Sequence, residues 1–234
     1  MDLHGKVVDR RELTQAQIAS MFALMDEFYD NMDFIVFQKD LADKDYCLVL
    51  FDEKETLAGF TTQKILPVQA GSKTVWGVFS GDTIIHKAYW GSAELFKVFA
   101  AFFFDYAKRY DSFYWFLIVK GYKTYKILST FFLYFYPNCG KETPDFEKSV
   151  IDAYGRQLFG GEYNAENGVI EYRGTKDALK QGVADIDEHV LRDRNAAFFS
   201  RANPGYVRGH DLACLAELNE NNIKPALRKM LFGK

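Results

Sequence analysis

The sequence predicts an α+β protein in α/β/α layers: a mixed, mostly antiparallel sheet flanked by helices, with a C-terminal α/β extension. Three observations carry this prediction. Strand-like apolar runs at Tyr46–Phe51, 56–68 and Lys73–Ile85 are joined by the turn-rich links DEKE and QAGSK, the pattern of an antiparallel meander. A helix-period segment then separates the third run from the unbroken apolar run SFYWFLIV, and strand, helix and strand in that order form a right-handed parallel crossover. Segments with helical spacing lie before and after this group.

Along the chain, residues 7–13 read as a first strand. Thr14 caps a helix in which Ile18, Met21, Phe22, Met25 and Phe28 recur at helical spacing, and 32–41 forms a second helix. In the meander, Gly59 marks a bulge or a close approach. The helix at 92–110 carries Glu94, Lys97, Asp105 and Lys108 on one stripe and is otherwise Phe, Leu, Val and Ala, so it packs deeply with one wet edge. SFYWFLIV lacks polar alternation, as a strand covered on both faces does. YKTYKILSTFFLYFY reads as a helix stopped by Pro137. Beyond residue 141, EKSVIDAYGRQLF is helical and GGEYNAENGVIEYRG is turn plus strand, with Asn167-Gly168 closing a hairpin. DIDEHVLRDRNAAFFSRANPG is a helix ended by Asn-Pro-Gly, HDLACLAEL a strand, and NNIKPALRKML a last helix with basic residues near its C-terminus. With no repeat, low-complexity tract or linker, residues 1–140 form a core and 141–234 an extension packed on it.

Bulk properties exclude several function classes. The 234 residues are 48% hydrophobic and 26% charged, a globular composition. Aromatics reach 17%, with 22 Phe and 14 Tyr, which implies a bulky core and an apolar pocket. Net charge is −3 without a Lys/Arg block, so a nucleic-acid partner is not expected. Cys47, Cys139 and Cys214 lie far apart, with no metal-ligand spacing; the expectation is no metal and a reducing compartment, hence a cytoplasmic protein. The N-terminus has no signal-peptide pattern. The most apolar stretch, 95–107, is interrupted by Lys97 and Asp105 and is shorter than the roughly 20 residues a membrane span needs.

The stretch FSGDTIIHKAYWGSAELF carries the functional prediction. A helix start offers unpaired N–H groups and a positive dipole end, which suit a phosphate, and Gly91, Ser92 and Ala93 are small enough to let one approach. Two helices, a meander, a helix, a strand and a helix, over about residues 7–137, resemble the GNAT superfamily of acyl-CoA N-acyltransferases. The family motif is Arg/Gln, two residues, Gly, one residue, Gly/Ala. AYWGSA matches it at Gly91 and Ala93, with Ala88 in place of the Arg/Gln and bulky Tyr89 and Trp90 in the turn.

The resemblance implies a wedge where the strand ending at Ile85 splays from the next one, with the pantetheine arm of acetyl-CoA or a longer acyl-CoA lying in it. Ile84, Ile85, Trp90, Gly91, Ser92 and Ala93 would then hold the cofactor. Transfer to an amine needs a base and an acid. Asp82 in the wedge strand is the first candidate base, set against a turn or bulge role after Gly81. His86 is the second, on the same face at i+4. The resemblance places the acid on a tyrosine after the last core strand, here Tyr134, although the family's Asn-x-x-Ala-x-x-x-Tyr pattern is not met. Lys120, Lys123 and Lys126 read as a solvated face, and Asp185 with His189 as ion-paired surface. The implied partners are a small-molecule or protein amine and a second copy of the chain as a homodimer. The alternative is a catalytically inactive GNAT-like module for a hydrophobic ligand or partner, motivated by Ala88 and Trp90. A third option takes its acyl group from an acyl carrier protein.

Overall fold

The computed structural model describes residues 3–233; Met1, Asp2 and Lys234, at the ends of the expected core and extension, lie outside the described residues. β1 (His4–Asp9) leads to α1 (Gln15–Phe28), β2 (Tyr29–Asp30) and α2 (Phe34–Ala42), followed by the meander β3 (Tyr46–Phe51), β4 (Leu57–Ala70) and β5 (Lys73–Ile85). Next come α3 (Glu94–Ala107), β6 (Phe113–Val119), α4 (Tyr122–Phe131), α5 (Asp145–Phe159), β7 (Tyr163–Asn164), β8 (Val169–Ile170) and β9 (Ala178–Leu179). The chain closes with α6 (Arg194–Ala202), β10 (Asp211–Glu217) and α7 (Pro225–Phe232).

Eight strands form one sheet in the order β1-β3-β4-β5-β6-β10-β8-β7. The β5–β6 pair is parallel, and the other ladders of this sheet are antiparallel. The mixed, mostly antiparallel sheet between helices is the predicted α+β class. β10, from beyond residue 141, pairs along β6 from Leu212↔Val119 to Glu217↔Tyr114, so the sheet runs through both expected parts.

Side-chain alternation decides the layers. Leu48 and Leu50 of β3, Trp115 and Leu117 of β6, and Cys214 and Ala216 of β10 face a core built with α3, α4 and α6. Cys47 and Val49 face the opposite side, under α1 and α2. Tyr114, Phe116 and Leu215 face that same opposite side further along the sheet, under α5. A Cβ at Gly77 would stand 2.4 Å from both the Tyr114 carbonyl and the Tyr154 hydroxyl, so only glycine lets α5 lie this close to β5.

The predicted wet edge of α3 is present and carries two ion pairs, Lys97–Glu94 at 3.1 Å and Lys108–Asp105 at 3.0 Å. α1 starts with the Thr14–Gln17 capping box. Four of the boundaries that differ from the sequence prediction have a visible local cause. β1 spans His4–Asp9 rather than 7–13, because the Asp9 carboxylate accepts the Arg11 N–H and turns the chain. α3 begins at Glu94 rather than 92, since Gly91 sits at φ 91°. The helix expected over 185–205 is α-helical only from Arg194, where the Asp193 carboxylate accepts the Asn195 and Ala196 N–H groups. α4 stops at Phe131 instead of running to Pro137. The buried Asn222 captures the following residues: its side-chain oxygen accepts the Tyr134 N–H at 2.8 Å and its amide donates to the Tyr134 carbonyl at 2.9 Å.

Candidate active site: the wedge between β5 and β6

β5 and β6 pair only from Trp76↔Phe113 to Ser80↔Leu117. Beyond that point β6 stays with β10, while Gly81–Ile85 follow β4 alone. The divergence has a local cause. Gln63 pairs with Ser80 and Thr61 with Thr83, so Gly81 and Asp82 together oppose Thr62. This β-bulge bends β5 away from its parallel neighbour. It also shifts the alternation, which puts Asp82 on the face of Phe79 and Ile84 rather than with Ser80. A Cβ on Gly81 would lie 2.8 Å from the Thr62 hydroxyl oxygen and 3.0 Å from Lys44 Cε, so glycine is required there. Across the pairing edge, Trp115 donates to the Ser80 hydroxyl, Ser80 to Gln63, and Gln63 to Thr61, which shares a 2.7 Å bond with Thr83. This buried chain of bonds locks the point where the strands part.

Asp82 is half-buried and accepts no hydrogen bond among the described residues. Burial, then the charges of Asp40 and Asp177, push its carboxyl up to about 6 against the pull of Lys44 and Lys176. Lys44 comes from the end of α2; its side chain is 2% exposed and its Nζ lies 2.6 Å from Asp40 Oδ2. Lys176 and Asp177 come from the strap between β8 and β9, which β9 fastens to β2 through Tyr29↔Leu179 and Asp30↔Ala178. At the end of β6, Lys120 Nζ reaches Asp211 Oδ2 at 3.0 Å, the Gly209 carbonyl at 2.9 Å and Asp177 Oδ2 at 3.4 Å. Tyr172 donates to Asp211 at 2.8 Å. Asp177 is held below the usual carboxylate range by Lys120 and Lys176, which outweigh its burial. A cluster of opposite charges thus ties the strap across the C-terminal end of β6 and the N-terminal end of β10, next to Asp82. Tyr29, buried at the end of α1, has its phenol pushed up by burial and by the charges of Asp82, Asp177 and Asp211.

The start of α3 is open. Gly91 and Ser92 are exposed, and a Cβ on Gly91 would meet nothing within 4 Å. The cap position, Ala93, provides no side-chain bond, and the Ser92 hydroxyl accepts the Glu94 N–H at 3.1 Å. The rings expected to crowd this turn point elsewhere. Tyr89 reaches Asp52 at 3.3 Å. Trp90, 43% exposed, folds back along the wedge: its indole N–H donates to the Ile85 carbonyl at 2.8 Å, its ring lies 6.1 Å from Phe28, and Lys123 Nζ sits 3.5 Å above it. The turn fits a phosphate through backbone donors and small residues, while the carboxylate of Glu94 stands in the first turn beside it, paired to Lys97.

The structure brings Asp82, Ile85 and the Trp90–Ala93 turn to one wedge. His86 is placed differently: its Nδ1 accepts the Ala88 N–H, its Nε2 lies 3.6 Å from Glu27 Oε1, and it caps the turn before α3. Ile84 is buried in the core under α1 and α2. Tyr134, freed from α4, is 53% exposed beside Tyr114, at the opposite end of β6. Tyr29, Lys176 and Asp177 were missed by sequence reasoning, and Lys120, read there as part of a solvated face, is instead 12% exposed and paired to Asp177 and Asp211. The one local signal is an acidic-aromatic helix end, EFYD, at Tyr29.

No family model matches the chain, and no curated protein matches it. Among solved structures, the chain is similar to a conserved protein of unknown function from Enterococcus faecalis V583, described as a probable N-acyltransferase. The identity is 18% and the TM-score 0.42, over 56% of this chain and 33% of that one. It is also similar to a GNAT family N-acetyltransferase from Escherichia coli in complex with CoA, at 10% identity and TM-score 0.39, over 56% and 70% of the two chains. An aminoglycoside acetyltransferase from an uncultured soil metagenomic sample, in complex with sisomicin, matches at 16% identity and TM-score 0.41, over 61% and 91%. The chain therefore spans a third of the first of these, and the account of the wedge stands on its own geometry. No helix among the described residues is long and apolar enough to cross a membrane.

Proposed function

We propose that the chain is an acyl-CoA-dependent N-acyltransferase of GNAT-like fold whose reaction centre is the wedge at Asp82. The observation that carries this is the pairing of β5 with β6 only as far as Ser80↔Leu117, beside a helix whose N-terminus stays open at Gly91–Ala93. A bound acyl-CoA would supply the thioester carbonyl that the amine attacks. The backbone N–H groups of Gly91 and Ala93 would hold its phosphates, the Ser92 N–H being donated to the Tyr89 carbonyl, and the splayed Gly81–Ile85 edge would line its arm once Trp90 swings off the Ile85 carbonyl. Asp82, with its carboxyl at about 6, is ionised at neutral pH yet basic enough to take the proton that the attacking amine must lose. Tyr29 keeps its hydroxyl proton because burial and the surrounding carboxylates oppose ionisation, and it is the donor candidate for the leaving thiolate in place of Tyr134. Asp40 and Asp177 are paired to Lys44, Lys120 and Lys176, which leaves the unpaired carboxylate of Asp82 to draw an ammonium substrate, a small-molecule or protein amine. Acetyl-CoA is the first donor to test, with longer acyl-CoAs after it, and the free thiols of Cys47, Cys139 and Cys214 fit a cytoplasmic setting.

The test is thiol release from acetyl-CoA and octanoyl-CoA against a panel of amines. Turnover in the wild type and its loss by a hundredfold or more in Asp82→Asn support the proposal; turnover unchanged in that variant rejects Asp82 as the base. A second reading, a ligand-binding module without turnover, is favoured by Trp90, which occupies the Ile85 carbonyl under Lys123. It predicts acyl-CoA or hydrophobic-ligand binding with no thiol release from any amine.

A further inference from the structure

A cavity lies away from the wedge, on the α5 face at the other end of β6. Tyr114 and Val119 are five residues apart along that strand, about 16 Å at the rise of a β-strand. The cavity has a volume of about 270 Å³. Its floor is Tyr114 and Leu215. Its walls are Tyr136, Glu147 from the first turn of α5 and Glu217 from the end of β10, with Tyr134 and Asn219 at the rim. The buried Asn222 fixes one wall, donating to the carbonyls of Tyr134 and Glu217 and accepting the Tyr134 N–H.

Two facts about this lining point to a ligand. First, Glu147 and Glu217 share the cavity with no cation paired to either among the described residues, and Glu217, half-buried, is pushed up by burial and by Glu147. The Tyr114 phenol is likewise pushed up by burial, Glu217 and Glu147. The cavity therefore holds a concentration of hydrogen-bond acceptors and negative charge with no described cation paired to either carboxylate. Second, the lining is aromatic, and its rim already receives an ammonium: Lys141 Nζ stands 4.1 Å from the centre of the Tyr134 ring. Carboxylates and ring faces around one small space are complementary to an organic cation. The volume, just under the ~300–1,000 Å³ usual for ligand sites, limits it to a short chain.

We propose that this cavity is a binding site for a small primary alkylammonium, its N–H groups donating to Glu147 and Glu217 and its methylenes lying against Tyr114 and Tyr136. The site is independent of the wedge. The test is calorimetric titration of the full chain, without acyl donor, with 1,4-diaminobutane and n-butylammonium. Tetramethylammonium, which has no N–H donor, and butyrate serve as comparisons. Both amines bind, the quaternary ion binds more weakly, and butyrate does not bind. The double variant Glu147→Gln/Glu217→Gln loses at least tenfold in affinity, whereas Asp82→Asn, altered at the wedge, keeps it. Lys141→Gln, an exposed change that removes the competing cation from the rim, tightens binding about fivefold, the effect of one charge at surface range. Absence of heat with both amines at millimolar concentration overturns the proposal. So does equal affinity for butyrate, amine binding that survives in the double variant, or amine binding lost in Asp82→Asn alone.

Discussion

Replacing Asp82 by Asn isolates the electrostatic feature on which the wedge chemistry depends. The Asp82 carboxyl is raised from 3.8 to about 6, so the folded chain holds its proton more tightly than the unfolded chain. Between about pH 4 and pH 6 the folded state therefore binds more protons, and stability falls as pH rises through that window. The loss is complete above the folded value. A rise of about two pH units corresponds to about 3 kcal/mol, the free energy stored at neutral pH by keeping this carboxylate ionised among Asp40, Asp177 and apolar neighbours. Asn has the same shape and no charge, so the variant escapes this penalty. Urea denaturation of wild type and variant at pH 4 and pH 8 reads the effect directly. Asp82→Asn is expected to be more stable by up to about 3 kcal/mol at pH 8, a rise in Tm of about 8 °C for a chain this size, and indistinguishable at pH 4. A variant that is no more stable than wild type at pH 8, or equally stabilised at both pH values, would refute the burial argument. The same substitution abolishes turnover under the proposed function, so gained stability and lost activity come from one atom change.

Other consequences follow from individual contacts. Lys120→Met leaves the carboxylates of Asp211 and Asp177 without their shared cation and is expected to cost about 3–5 kcal/mol in thermal or urea unfolding, with faster amide exchange at residues 172–180. Gly77→Ala drives a methyl into the Tyr114 carbonyl and the Tyr154 hydroxyl and should destabilise by about 1–3 kcal/mol. Gly161→Ala, where a Cβ meets nothing within 4 Å, is the control expected to change little. Asn222→Ala removes three hydrogen bonds from a buried side chain, for a loss of about 2–3 kcal/mol, and lets the Tyr134 segment detach, read as a loss of amine binding. Trp90→Ala frees the Ile85 carbonyl and should raise acyl-CoA affinity if the indole occupies the cofactor's path; unchanged affinity places that path elsewhere.

The strands of the meander are legible because each is an apolar run closed by turn residues. β3 and β5 have the bounds the sequence predicts, Tyr46–Phe51 and Lys73–Ile85. Two glycines carry correct local signals. Gly59 marks a close approach, where a Cβ would lie 2.9 Å from the Ile84 carbonyl, and Gly81 opens the bulge that separates β5 from β6. What is not legible is set by residues distant in sequence. Lys120 meets Asp211 across 91 positions, and the strap that brings Lys176 and Asp177 beside Asp82 is fastened through β2 and β9, two-residue strands with no periodicity to detect. The continuous helix pattern through Tyr134 is broken by Asn222, 88 positions away, because a buried amide with three bonds outweighs local propensity. His86 shares the wedge strand's sequence neighbourhood, yet capping the turn at Ala88 turns both its nitrogens away.

The most direct test of the wedge is calorimetric titration of acetyl-CoA into the wild type and into Ser92→Glu, which places a carboxylate at the exposed turn without disturbing a packed side chain. The wild type should bind saturably, more weakly as salt rises, and Ser92→Glu should lose about tenfold or more. Absence of heat and of any thermal shift at millimolar acetyl-CoA, or equal binding by the two proteins, would contradict a phosphate seat at Gly91–Ala93.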